Sequence, residues 1–386
     1  MYKLKSIACL MLFLVIWSCT EKTPKSKEVT FLVSTNVRGQ LDPCGWKANP
    51  LGGLPRRATY INQVKQGGID PILLDAGDGL FENYYLVKGK EPSSKLKAKT
   101  VLESTVKMGN YIYNVGQSDF AAGINFLREM EETAGTHFIS SNLVNVGTNE
   151  LAFNDHTILE RNGLKIGIFG ITTEIPDVIK SIEVKDYVSV AKSKVDELRP
   201  QVDVLVMLLN ATKPQSDKAM EKFAGIDYIF SSRETSRTRP ERLQSEDHPK
   251  QYCLGIQGKY VGRFDLKVSD MNKPIRDVTS SIMTVKVFEE RLVNLQKRNP
   301  DKPLEEVYKN NPNVLNMVQK FKSGVKESKG SMENAANSSY YTLIPLNGSV
   351  VSEKSLLAVV DQALKTCETL DKEGSSSLPW WIFVAQ

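Results

Sequence analysis

Histidine is scarce in this chain: His137, His156 and His248 are the three in 386 residues. They read as ordinary structural or surface residues. The five cysteines form neither a Cys-x-x-Cys nor a Cys-x-x-Cys-His spacing, so zinc-ribbon and c-type haem readings have no support. No internal repeat is present. The net charge of +5 is not gathered into a dominant basic block, which removes the main reason to expect a nucleic-acid partner. Ile7 to Trp17 is apolar but too short for a comfortable membrane span.

That run is better explained as a signal. Lys3 and Lys5 precede it, and it ends Ile16-Trp17-Ser18-Cys19, the pattern of a bacterial lipoprotein cleavage box. The expectation is a signal peptide over 1–19, lipid on Cys19 and a polar tether over 20–28. Membrane contact would be through lipid, on the periplasmic or surface side of the cell envelope. Export implies an oxidising compartment. Beyond Cys9 and Cys19 there remain Cys44, Cys253 and Cys367, an odd number.

What the chain does have is alternation. Apolar strand-like runs at Val29–Val33, Pro71–Leu74, Tyr111–Val115, Leu164–Thr172, Val202–Leu209 and Ile226–Phe230 alternate with helical periodicity, the pattern of an α/β fold. The expected main domain is 29–283. A mainly helical C-terminal extension follows over 284–386, with a low-complexity linker at Lys329–Ser339.

The organising stretch is Ser34 to Ile61. A strand opens into a loop of about twenty residues rich in Gly and Pro, longer than the usual two to six, and enters a helix whose first turn holds Pro55, Arg56 and Arg57. Further loops follow strands at Asp75-Ala76-Gly77-Asp78-Gly79, Gly116-Gln117-Ser118-Asp119-Phe120, Asn210-Ala211-Thr212 and Ser231-Ser232-Arg233-Glu234-Thr235. These loops could converge at one sheet edge. Acidic residues wrapped in glycine at a strand end suit a cation or phosphate, and equally a plain Asp-Gly turn.

The order of these loops resembles the calcineurin-like metallophosphoesterases, in particular their 5′-nucleotidase branch. The matching segments are Thr35-Asn36, Gly52-Gly53-Leu54-Pro55-Arg56-Arg57, Asp75-Ala76-Gly77-Asp78 and Gly116-Gln117-Ser118-Asp119, with Ile226–Ile229 and Gly258–Arg263 later, over roughly residues 29 to 268. The resemblance implies a four-layer αββα sandwich. It also implies a dinuclear metal site, in which two divalent ions hold a hydroxide and a phosphate. Of the ligands that site needs, the bridging position matches Asp78. The others fall on Val37, the Arg38-Gly39 region, Gln117, Ser118, Asn210, Arg233 and Thr235. One carboxylate with amides cannot hold two divalent ions.

Three readings follow. The first is a non-catalytic, degenerate member in which arginines (Arg38, Arg56, Arg57 and Arg233, with Arg237 nearby) replace metal charge and hold an anion. Its partner would be a phosphorylated small molecule or a protein, and no cofactor is expected. The second is a phosphoesterase or nucleotidase with an unusual manganese or zinc site drawn from Asp75, Asp78, Asp119 and Asn210, with Asp78 and Asp119 as catalytic candidates. The third is a thiol-redox protein. Some exported relatives carry Asp/Glu-Pro-Cys-Gly-Cys-Lys or its selenocysteine form, and this chain has Asp42-Pro43-Cys44-Gly45-Trp46-Lys47. Cys44, beside Lys47 and arginines, could then have a lowered pKa, with Cys253 as its resolving or disulfide partner.

Overall fold

The structure, a computed structural model, describes residues 26–376 apart from 46–47, 137, 242–243 and 245–248. The signal segment, Cys19, Trp46, Lys47, His137 and His248 therefore lie outside the described residues. The chain runs β1 (Lys27–Ser34), α1 (Leu54–Gln66), β2 (Ile72–Asp75), α2 (Glu91–Met108), β3 (Tyr111–Asn114), α3 (Ile124–Ala134), β4 (Phe138–Ile139), β5 (Leu143–Asn145), β6 (His156–Arg161), β7 (Leu164–Thr172) and β8 (Ile182–Val184). It continues through α4 (Tyr187–Leu198), β9 (Val204–Asn210), α5 (Lys213–Ala219), β10 (Tyr228–Ser232), β11 (Lys250–Cys253), β12 (Tyr260–Val268), β13 (Ile275–Asp277), α6 (Thr279–Gln296), α7 (Leu304–Val307), α8 (Pro312–Glu333), β14 (Asn337–Pro345) and α9 (Lys354–Ser376).

A seven-stranded sheet, ordered β13-β14-β12-β1-β2-β3-β4, faces a five-stranded sheet, ordered β11-β10-β9-β7-β6. The layers follow from period-two alternation in strands buried on both faces. In β9, Val204, Val206 and Leu208 enter the core between the sheets. Leu205, Met207 and Leu209 pack outward with Ala191 and Leu198 of α4. In β1, Phe31 and Val33 face the sheet interior, whereas Leu32 joins the core under α1, α2 and α9. The result is the expected four-layer αββα sandwich.

The C-terminal extension is mainly helical, but its expected boundaries need correction. Position 283/284 falls inside α6, and the tether ends earlier than expected because β1 begins at Lys27. The stretch 329–339 is not a linker. It is the last turn of α8 and the start of β14, which inserts into the large sheet between β12 and β13. β14 pairs with β12 along nine residues, from Tyr260↔Pro345 to Val268↔Asn337. Tyr341 anchors it, with its ring 4.7 Å from Phe264 and 4.8 Å from Tyr252. The extension also braces the long loop: Gly52 N–H and Arg56 Nη1 both donate to Leu346 O.

Candidate functional site

The long loop and the turns after β2, β3, β9 and β10 do converge at one edge, and they close it. Asn36 is the central clamp. Its Nδ2 donates to Glu234 O and Gly255 O at 2.9 Å each, and its Oδ1 accepts from Arg233 N at 2.7 Å. Asn210 joins the two sheets: Oδ1 accepts from Gln117 N at 3.1 Å, and Nδ2 donates to Ser232 Oγ at 2.7 Å. The Ser232 hydroxyl in turn donates to Ala76 O at 2.6 Å. Asn36, Arg38, Asp78, Arg233 and Gln257 all have left-handed φ between 50° and 66°. For non-glycine residues such backbone persists only where surrounding contacts hold it.

The carboxylates take part in the same closure to different extents. Asp78 Oδ1 accepts from Ser118 N at 2.9 Å. Gly116 leaves room for this packing: a Cβ there would lie 2.3 Å from Asp78 Oδ1 and 2.7 Å from Asn210 Nδ2. Asp119 takes the N–H groups of Asp78, Leu80 and Gly116 at 2.8–3.1 Å and the Tyr113 hydroxyl at 3.1 Å. Burial and the Asp78 charge push its pKa upward, opposed by the N–H bonds from Leu80 and Gly116. Four donors, two at each oxygen, occupy its lone-pair directions, so it serves as an acceptor for the protein itself. Asp75 is raised to about 6 by burial, against the lowering pull of Ser34, Arg57 and Gly77.

The donor set therefore does not fit two divalent ions. Val37 is 1% exposed and packed in the helix-side core. Asp75, Asp119 and Asn210 are engaged with protein, and His156, the one histidine among the described residues, lies on β6. Among the described residues, the only three-donor cluster within reach of one ion is Asp155, His156 and Glu197, at β6 and α4. There the ammonium of Lys194 already bonds Asp155 and Glu197. His156 Nδ1 lies 3.2 Å from Asp155 Oδ2.

The expected anion-binding arginines do not form one cluster. Arg56 donates to Pro50 O and Leu346 O. Arg57 is 2% exposed, between Asp75 and Tyr111, with Nε and Nη1 lacking a protein partner. Arg233 pairs with Glu174 at 2.5 Å. Arg38 is half-buried and makes no side-chain bond among the described residues.

The cysteine expectation also needs correction. Cys44, Cys253 and Cys367 are free thiols, so the Cys44–Cys253 bridge is absent. Burial raises the Cys44 pKa rather than lowering it, because Lys259 offsets only part of the desolvation and Asp42 adds to it. Burial also pushes Cys253 up to about 12. Neither thiol has the depressed pKa of an activated nucleophile.

Sequence reasoning placed Asn36 and Ser232 in the converging loops but missed their clamping role, and missed a cleft beside them lined by Cys44, Arg237, Lys259 and Tyr260. Polar residues in strand-end loops were the available signal, but their pairing was not readable.

No family model matches the chain. It is similar to Protein UshA of Yersinia enterocolitica, 24% identical over 304 residues, 68% of this chain and 53% of that protein. It is also similar to the 5′-nucleotidase of Vibrio cholerae, 26% identical over 189 residues, 45% of this chain and 32% of that protein. The chain thus spans about half or less of the length of these curated relatives. Among solved structures, the calcineurin-like phosphoesterase YfkN of Bacillus subtilis matches at TM-score 0.58 and 14% identity, over 90% of this chain and 99% of that one. The 5′-nucleotidase precursor of Thermus thermophilus matches at TM-score 0.50 and 18% identity, over 63% and 52%. The homologues are 5′-nucleotidases and calcineurin-like phosphoesterases, and the fold is theirs.

Proposed function

We propose that this chain is a non-catalytic phosphoesterase-fold protein of the cell envelope, held at the membrane by lipid on Cys19, that binds an anionic ligand or partner. One observation carries the reading. The groups at the expected metal edge, Asp75, Asp119, Asn36 and Asn210, are engaged by hydrogen bonds within the protein, and those of Asn36 and Asn210 tie the two sheets together. A dinuclear hydrolase needs those lone pairs for ions and water. The lipoprotein part rests on Lys3, Lys5 and the Ile16–Cys19 box. One curated relative is the cell wall protein Lmo0130 of Listeria monocytogenes. Among the described residues no helix is long and apolar enough to cross a membrane.

A metal-dependent hydrolase is the second reading, favoured by the left-handed backbone at Asn36, Asp78 and Arg233 and by the 5′-nucleotidase relatives. Elemental mass spectrometry after exposure to Mn²⁺ and Zn²⁺ separates the two. The non-catalytic reading expects near zero ions per chain and no phosphatase activity above that of an Asp78→Ala variant. Near two ions per chain, with activity lost in that variant, would overturn it.

A further inference from the structure

The long loop and the turns after β10 and β11 enclose a cleft of about 400 Å³ beside the closed edge. Its walls are fixed by backbone pairing. Cys44 and Leu51 exchange both hydrogen bonds, at 2.9 and 3.0 Å. Arg237 forms a β-bridge with Leu254, and Gly255 N–H donates to Ser236 O at 2.9 Å. Asn36 holds the floor through Gly255 O.

Two cations line this space, Arg237 and Lys259, and neither forms an ion pair among the described residues. The Arg237 guanidinium lies 4.7 Å from the centre of the Tyr260 ring and bonds the Tyr260 hydroxyl. It is thus held in place before any ligand arrives, which lowers the ordering cost of binding. Asp42 and Glu234 flank the cleft without lining it: Asp42 accepts from Gln40, and Glu234 accepts from Ser236 N. The Cys44 thiol, raised by burial, stays neutral and does not oppose an anion.

We propose that the cleft walled by Cys44, Thr235, Ser236, Arg237, Lys259 and Tyr260 binds a small organic dianion. The two positive charges, Arg237 held on Tyr260 and Lys259 beside it, match two negative ones, and the volume exceeds what a bare inorganic ion fills. This rests on the anion-binding part of the proposed function and moves the ligand away from Arg56, Arg57 and Arg233. Phosphomonoesters and dicarboxylates share the chemistry, so both are tested.

The experiment uses the mature protein with glycerol 3-phosphate, succinate and, as a neutral control, glycerol. Iodoacetamide alkylation at Cys44, read by peptide mass spectrometry, reports cleft occupancy, and calorimetry reports affinity. The expected result is that one dianion slows Cys44 alkylation and glycerol does not. In an Arg237→Met/Lys259→Met variant, affinity should fall about tenfold or more and protection should vanish, while Arg233→Met changes neither. The wild-type protection arm stands even if the double variant folds poorly. Lack of protection by either dianion at about 10 mM, the weak end of measurable affinity, overturns the proposal. Equal protection by glycerol, or binding lost in Arg38→Met but kept in the double variant, does the same. Dianion binding that ignores the double variant refutes this site and leaves the anion-binding reading standing. Two bound metal ions would refute the non-catalytic reading and leave the cleft intact.

Discussion

Two neighbouring regions share the Asn36 clamp and differ in what they leave unspent. At the sheet edge, Asp119 has four donors and Asn210 uses both ends of its amide, so polar capacity is converted into fold cohesion. In the cleft, Arg237 and Lys259 keep their charges free of carboxylates among the described residues. Polar residues at a family's site position are therefore a poor guide to function until their partners are counted. A group satisfied by protein holds the fold together, and a group held in place but unpaired is available to a ligand.

The sharpest way to break this comparison is to remove the most saturated group. Asp119→Ala leaves three backbone N–H groups and the Tyr113 hydroxyl buried without an acceptor, and should cost about 4 kcal/mol or more in urea unfolding. A loss below about 1 kcal/mol would show that Asp119 does not hold the turns after β2 and β3 together.

Asp75 tests the same edge through pH. Its folded pKa of about 6 lies above the ordinary 3.8, so the native state binds more protons in that interval. Stability therefore falls as pH rises from 3.8 through about 6, by about 3 kcal/mol in total. The Asp75→Asn variant should lose this fall, measured as unfolding free energy at a series of pH values. Parallel profiles for variant and wild type would exclude Asp75 as its source.

Asn210→Ala should cost about 2 kcal/mol, because Gln117 N–H and the Ser232 hydroxyl each lose a partner. The smallest expected effect lies in the cleft. Arg237→Met, on an exposed side chain, should change stability by less than about 0.5 kcal/mol in the same denaturant assay. A large loss there would make Arg237 a structural residue and erase the contrast.

Much of the fold was legible because it rests on local periodicity. Val204 to Leu209 reads as buried on both faces, and the strand–helix alternation up to β10 follows from such runs. β14 was not legible as part of the sheet. Its polar start at Asn337, Ser338 and Ser339 looks like linker, and its place depends on Tyr341 packing against Phe264 and Tyr252, far away in sequence. At the site, the sequence showed which residue types stand in the strand-end loops. It could not show that Arg56 turns to Pro50 and Leu346, or that Arg233 turns to Glu174.

By itself, then, the sequence determined the layered α/β class, the order of the strand-end loops and the scarcity of histidine, because each is written in residue type and spacing. Only the tertiary structure decided that Asp119 and Asn210 are closed by partners, that Cys44 and Cys253 stay apart, and that Arg237 and Lys259 line one cleft. Hydrogen-bond saturation and burial are properties of pairs distant in the chain, and no single residue carries them alone.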